Sequence, residues 1–311
     1  MTRKNIERFF MDVSIIIVNH KTVPLILNCL RSVYQYTKNL SFEIIVVDNN
    51  SGDDFERKIK AEYGNVKCIA LAENIGFGRA NNEGIKVAQG RNILFLNPDT
   101  ALLNNAVKIL SDYLDAHPTV GVCGGNLYDE EMKPTHSYFM LLPSFVWELD
   151  LLFHGWLHRI VWGKNVQFNH RRKPRKVGYI CGADMMVKRS VLEQVGCFSP
   201  LFFMYYEETE LTCRIKKAGY SIISVPEAKI QHLEGKSMGG KQINVSRILY
   251  SERSLSVYYS LHANDFQRWI YRVMRLFRLY VRHHVVHPSY HTSYPQLYKE
   301  CKSLILDDRH L

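Results

Sequence analysis

The sequence predicts an α/β protein with a mostly parallel central sheet and helices on both faces. Two observations carry this expectation. Apolar runs rich in β-branched residues alternate with segments of helical periodicity across residues 13–116. Several of the runs stop abruptly at small polar clusters, as buried parallel strands do when they deliver side chains to the mouth of a sheet.

Taken in order, Val13–Val18 (VSIIIV) reads as a first strand, and Thr22 with Pro24 opens a helix through about Tyr36. Ile44–Val47 is a second strand, closed by a polar turn over Asp48–Asp53. A helix near Phe55–Tyr63 and a strand near Val66–Leu71 follow. Asn74–Gly90 is a glycine-rich opening into a helix, and the next strand ends at Asn97, because Pro98 cannot donate to a ladder. Leu103, Val107, Leu110 and Leu114 share one face of a helix expected over Leu102–Ala116.

Regularity fades over Met132–Lys176, where SFVWELDLLFHGWLHRIVW reads as one amphipathic helix beside the site. VGYICGADMMV reads as a strand, followed by a short helix from Ser190. A helix over Glu207–Ala218 stops at Gly219, and SIISV is a last strand.

Composition narrows the class. The chain has 311 residues, 46% hydrophobic and 23% charged, as in an ordinary globular protein. Seven scattered cysteines without a Cys-x-x-Cys pair argue against a zinc cluster or disulfide framework, and for free thiols in a reducing cytoplasm. The first ten residues lack the apolar core of a secretory signal, and no apolar run is long enough to span a bilayer. The expectation is a cytoplasmic protein, soluble or peripheral on the inner face of the membrane. The net charge of +10 suits nucleic acid, anionic lipid or a phosphorylated substrate. No nucleic-acid motif accompanies it, so that partner is set aside.

Three polar clusters follow predicted strands: Asn19-His20, Asp48-Asn49-Asn50 and Asn97-Pro98-Asp99. Singly, each serves as a cap or turn. Together, on adjacent parallel strands, they converge on one crevice outside the carboxyl ends. There Asp48 is placed to accept from a nucleotide base or ribose, and Asp99 to ligate Mg2+ or Mn2+, cations that prefer carboxylate oxygen.

NIGFGRANNEG, beginning at Asn74, fits neither the dinucleotide fingerprint nor a P-loop. Two readings stay open: a helix N-terminus that attracts a diphosphate with help from Arg79, or a close-packed helix start. Glu207, Glu208 and Glu210 open a helix. They either complement its dipole or supply a general base whose proton affinity crowding has raised. His232 completes the set as a nitrogen donor to pair with Asp99.

The segments VSIIIVNHK, EIIVVDNNSGD, NIGFGRANNEGI, ILFLNPDT, GADMMVKRSVLEQVGCFSPLFFMYYEETELTCRIKKAGY and VPEAKIQHLEGKS occur in the order found in family 2 inverting glycosyltransferases. The chain resembles that family, in particular its bacterial rhamnosyltransferase-like branch, over Val13–Ser237. The resemblance implies an A-type, Rossmann-like glycosyltransferase fold. It implies a nucleotide-sugar donor, first dTDP-rhamnose and next a UDP-sugar, and a glycan or lipid-diphosphate-linked acceptor in cell-surface polysaccharide synthesis. By position, Asp48 resembles the base-contacting residue, with Asn19 and Asn50 nearby. Asp99 resembles the last aspartate of the Asp-x-Asp metal motif, and His232 the later histidine at the metal or diphosphate.

Glu208 resembles the second acid of the Glu-Asp motif, the usual catalytic base, with Glu207 as the fallback. Asn97 replaces the first metal-motif aspartate, and glutamate replaces aspartate at 208. A non-catalytic nucleotide-sugar-binding accessory subunit and a nucleotidyltransferase are the competing classes.

The expected division is a catalytic domain over 11–237 and a helical basic extension over 238–311. In the extension, Arg268, Arg272, Arg275, Arg278 and Arg282 form one basic stripe, beside an apolar arc of Trp269, Val273, Leu276, Phe277 and Tyr280. That pattern fits a helix packed with a solvated arginine edge, or one seated on anionic lipid.

Overall fold

A computed structural model describes residues 11–52, 54–153, 155–233, 245–281 and 294–307. The first half alternates as expected: β1 (Met11–Asn19), α1 (Val23–Tyr36), β2 (Phe42–Asp48), α2 (Phe55–Glu62), β3 (Lys67–Ala70), α3 (Phe77–Val87) and β4 (Gly90–Leu96). Then come β5 (Thr100–Leu102), α4 (Ala106–Ala116), β6 (Val120–Tyr128) and β7 (Tyr138–Phe139). The middle holds α5 (Phe145–Leu152), α6 (Trp156–Trp162), β8 (Arg175–Lys176), β9 (Tyr179–Ile180), β10 (Asp184–Lys188), α7 (Arg189–Val195), α8 (Glu207–Lys217) and β11 (Ser221–His232). The helices α9 (Val245–His262), α10 (Asp265–Val281) and α11 (Tyr294–Leu306) close the chain.

The main sheet has the order β3-β2-β1-β4-β10-β6-β11-β5, with β8 also on β11. β1, β2, β3 and β4 are mutually parallel, and β6 is parallel to β11. β10 runs antiparallel between β4 and β6, and β5 and β8 run antiparallel to β11. The carboxyl ends of β1, β2, β4, β6 and β11 therefore share one edge of the sheet.

Alternation along β1 explains the layers. Ile15 and Ile17 join Ile26, Leu30 and Leu110 on the α1/α4 face, while Ile16 and Val18 join Phe95, Leu192 and Leu211 on the α3/α7/α8 face. Buried on both faces, the strand reads as a continuous apolar run. A third cluster joins Trp147, Phe202, Leu255, Tyr258, Tyr259 and Tyr271, fastening α5, α9 and α10 together.

The structure corrects several expectations. α4 starts at Ala106 because residues 100–102 pair with β11 as β5. The presumed single strand VGYICGADMMV is two, β9 in a separate two-stranded sheet with β7 and β10 in the main sheet. The presumed single aromatic helix is broken into α5 and α6.

β6 had no expectation at all. Its glycines disguise it, yet close packing requires them: a Cβ on Gly124 would stand 2.3 Å from Ile180 Cγ2, and one on Gly125 would stand 2.6 Å from Ala228 O. β11 does not stop before Pro226 but passes it through a register shift between Ser224 and Lys229 and runs on to His232.

The arginine stripe is not a solvated edge: Arg275 is 4% exposed and Arg278 pairs with buried Glu148. Arg282 and the expected boundary at 237/238 lie outside the described residues.

Candidate active site

The shared carboxyl edge brings the sequence candidates into three adjoining groups. The first lies where β1 and β2 end in register, Asn19 opposite Asp48. Asn19 Nδ2 donates to Asp48 Oδ1 at 2.6 Å, and its Oδ1 accepts from the Thr22 backbone at 3.0 Å and the Thr22 hydroxyl at 2.9 Å. The Ser51 hydroxyl also donates to Asp48 Oδ1, and the Ser51 N–H donates to Oδ2 at 3.1 Å. Asp48 is thus held by its own turn, an Asx arrangement that fixes its carboxylate. Asn50 is exposed at that turn with φ +60°.

Asn49 carries the turn to α3. Its Nδ2 donates to Asn74 Oδ1 at 2.8 Å, while its Oδ1 accepts from Ile75 N at 2.9 Å. Asn74 Oδ1 also accepts from Gly76 N at 3.0 Å. Sequence reasoning placed Asn49 in a cluster without a role. The D-N-N-S spacing, with a serine three residues past Asp48, was the signal for Ser51. Arg79 is half-buried in the first turn of α3, and its Nε has no hydrogen-bond partner among the described residues.

The second group joins β4 to β11. Asn97 is fixed through its backbone: its N–H donates to Ala183 O at 3.0 Å and its carbonyl accepts from the Thr100 hydroxyl at 2.7 Å. The turn points Asp99 inward, and Leu233 N donates to its carbonyl at 2.9 Å. His232, opposite Thr100 in the ladder, places Nε2 3.4 Å from Asp99 Oδ1.

Asp184, at the start of β10, is fully buried behind this pair and accepts from Gly125 N at 2.5 Å. Burial raises its carboxyl to about 7, against the lowering effects of that bond and of the His232 charge. Burial, with His232 nearby, pushes His136 down to about 4. Neither residue was among the sequence candidates. A buried acid inside an apolar run, as in GADMMV, was the available sign.

The third group is the start of α8. Glu207 is buried and Glu208 half-buried. Glu208 is packed over Gly182, where a Cβ would come within 3.7 Å of its Cγ, and the Thr209 hydroxyl reaches Glu208 Oε1 at 3.3 Å. Burial, then the neighbouring Glu208 charge, holds Glu207 well above the usual carboxylate value; burial also raises Glu208.

The loop before α8 is clamped to α3: Phe77 N donates to Phe203 O at 3.0 Å, and Asn82 brackets Phe198 at 2.8 and 3.0 Å. The Asn74 segment and the acidic pair therefore belong to one rigid wall. Among the described residues no group of three or more His, Cys, Asp or Glu gathers as a metal cluster.

An open α/β sheet of this strand order has the shape of known structures. The structure of GalNAc-T7 with UDP, GalNAc and Mn2+ superposes with a TM-score of 0.62 at 16% identity, covering 94% of this chain and 54% of that one. The fold is the A-type glycosyltransferase fold, and the chain is a glycosyltransferase.

The model of glycosyl transferase family 2 matches residues 14–196, and the chain belongs to that family. The N-acetylglucosaminyl-diphospho-decaprenol L-rhamnosyltransferase of Mycobacterium tuberculosis is 28% identical over 216 residues, 63% of this chain and 68% of the relative. The dTDP-rhamnosyl transferase RfbF of Shigella flexneri is 23% identical over 245 residues, 78% of this chain and 72% of the relative.

Proposed function

We propose that the chain transfers a sugar, with inversion, from a nucleotide-diphosphate donor to a hydroxyl of a lipid-diphosphate-linked glycan at the inner face of the cytoplasmic membrane. The donor proposed first is dTDP-rhamnose, a choice supported by the names of the two relatives. A UDP-sugar is the second reading, favoured by the UDP in the similar structure.

The observation that carries the reading is the gathering of unlike chemistries at one edge: Asp99 pairs with His232, and Glu208 lies over Gly182, next to Ala183, whose carbonyl receives the Asn97 N–H. The turn of Asp48, Asn19 and Asn50 is assigned to the nucleoside, and Asn74, Arg79 and Asn97 to the diphosphate and ribose side. Arg79 supports this as a half-buried cation whose Nε has no partner among the described residues, suited to an anionic group.

A divalent cation, Mg2+ or Mn2+, fits Asp99 and His232. A hard carboxylate oxygen and an imidazole nitrogen supply two positions, and magnesium takes few protein ligands when phosphates fill the rest. Bound there, it would supply positive charge beside the leaving diphosphate. Glu208 accepts the proton of the acceptor hydroxyl as that oxygen bonds to the anomeric carbon. The bond from that carbon to the diphosphate oxygen breaks on the opposite face, so one displacement inverts the configuration. Raised proton affinity suits Glu208 to this work near neutral pH, and Glu207 beside it is the fallback base.

The test is a panel of nucleotide-sugars with and without Mn2+, read by thermal stabilisation and then by the anomeric configuration of the product. Metal-dependent stabilisation by dTDP-rhamnose and an inverted product are expected. A product of retained configuration, or no stabilisation by any nucleotide-sugar, overturns the reading.

A further inference from the structure

Helix α10 is inside out. Phe266, Trp269, Val273, Phe277 and Tyr280, at steps of three and four, form one stripe, each 46 to 68% exposed. The opposite side faces the protein and carries buried charge beside Tyr271. Arg275 Nη2 pairs with Glu252 Oε2 at 2.6 Å, and Arg278 Nη1 with Glu148 Oε2 at 2.9 Å. A surface helix of a globular protein ordinarily does the reverse, turning its apolar stripe inward.

The neighbouring α5 and α6 share the anomaly. Glu148 ties α5 to α10, and the Phe145 backbone hydrogen-bonds the Tyr271 side chain. Phe145, Val146, Phe153, Trp156, Ile160 and Val161 are all exposed. Of the sixteen large apolar side chains exposed among the described residues, eleven lie on α5, α6, α10 and the α5–α6 link. Scattered apolar residues need no explanation, but such a concentration does.

Charge and composition select the occupant. Arg159, Lys164, Arg268 and Arg272 belong to these helices or the turn after α6. Glu148 and Asp150 are buried, so among the described residues of the three helices Asp265 is the one exposed acid, and it pairs with Arg268. Exposed tryptophan, phenylalanine and tyrosine rimmed by cations match the boundary between headgroups and acyl chains.

We infer that α5, α6 and α10 form one docking face that seats its apolar side chains in a bilayer bearing anionic headgroups. The contact is monotopic: no helix among the described residues is long and apolar enough to cross a membrane. Packing links the face to the wall of α8. Ser254 donates from α9 to Met204 O at 2.7 Å, and Tyr206, which directly precedes Glu207, packs on the cluster of Trp147 and Tyr271. Arginines do not lead this contact, as a solvated stripe would; the aromatic arc does.

The inference deepens the lipid-linked acceptor reading, and its test needs no sugar. The full chain is cosedimented with phosphatidylcholine vesicles, with and without about one-third phosphatidylglycerol. Trp269→Ser/Phe277→Ser is compared with Met132→Ser/Leu201→Ser, whose side chains are exposed elsewhere.

Wild type and the control should partition to anionic vesicles. The Trp269/Phe277 variant should lose at least about tenfold in partition while keeping its melting temperature. Brominated lipid should quench wild-type tryptophan fluorescence. Equal partition of both double variants, or wild type left in the supernatant, overturns the docking face. So does a wild-type dimer, seen by light scattering, that only the Trp269/Phe277 variant dissolves. Stabilisation by a nucleotide-sugar is read on the same samples, so a failed docking face is distinguished from a failed donor assignment.

Discussion

His232 Nε2 stands 3.4 Å from Asp99 Oδ1 because β11 continues past Pro226 and pairs with β5, setting His232 opposite Thr100. The pair presents two donors of different chemistry at one point of the carboxyl edge. Asp99→Asn and His232→Ala should each weaken Mn2+ binding in the presence of nucleoside diphosphate by at least about tenfold, the usual minimum even for residues that only support metal ligands. Calorimetric titration with Mn2+ checks this. Unchanged Mn2+ affinity in both variants removes the pair from the metal assignment.

Glu207 and Glu208 adjoin in sequence but should separate by experiment. Glu208→Gln should reduce turnover by about two to four powers of ten with donor binding kept, the range for losing a general base. Burial raises Glu208, so in wild type the acid limb of the rate profile should fall above the ordinary carboxylate value of 4.5, with activity rising as pH rises. Single-turnover rates across pH check both statements.

Glu207 should show itself in stability. A carboxyl whose folded-state value is raised favours folding when protonated, and that contribution is lost as pH climbs from 4.5 through the raised value. Glu207→Gln keeps the neutral form at every pH. It should therefore raise the melting temperature at pH 8 relative to wild type and leave it nearly unchanged at pH 4. Melting curves at the two pH values check the sign.

These contrasts also indicate what the sequence could reveal. The strands and helices from Met11 to Leu96 were legible because doubly buried parallel strands are apolar throughout and end at polar turns. The meeting of Asn19, Asp48 and Asp99 on one edge followed from that pattern. β6 was hidden by glycines that exist for close approach by Ile180 and Ala228. The reach of β11 was hidden by a proline that only a bulge accommodates. Asp184 left one local sign, an acid inside the apolar run GADMMV, but nothing local to it or to His136 reveals that distant His232 will lie near them. In α10 the periodicity was legible, but not which stripe faces inward, since the answer rests on Glu148 and Glu252 from other elements.

Gly76 is the hinge pin of the wall that joins the Asn74 segment to the acids. Its φ is +87°, and a Cβ there would stand 2.3 Å from Phe203 O. Gly76→Ala cannot be absorbed by a side-chain rotation, because the obstructing atom is backbone. It should cost about 1 to 3 kcal/mol in stability and lower nucleotide-sugar affinity together with turnover. Chemical denaturation beside donor titration checks it; Gly64→Ala, with open space around its Cβ, is the control.

Arg278 offers the last test, because the inward arginine stripe makes a stability prediction opposite to that of a solvated one. Glu148 is 1% exposed and receives Arg278 at 2.9 Å and the Tyr259 hydroxyl at 2.8 Å. Removing one partner of such a pair strands the other charge, a larger loss than the pair itself is worth. Arg278 keeps some solvent contact, so Arg278→Ala should cost about 2 to 4 kcal/mol, less than a fully enclosed pair. Arg268→Ala, which breaks an exposed pair with Asp265, should stay within about 0.5 kcal/mol. Burial already raises Glu148, and Arg278 and Arg275 oppose that shift. Without Arg278 the shift grows, so the loss should be largest at neutral pH and shrink as Glu148 protonates in acid. Glu148→Gln in the Arg278→Ala background should recover part of it at neutral pH. Equal and small losses for Arg268→Ala and Arg278→Ala would return the arginines to solvent and leave the exposed aromatic arc without its cause.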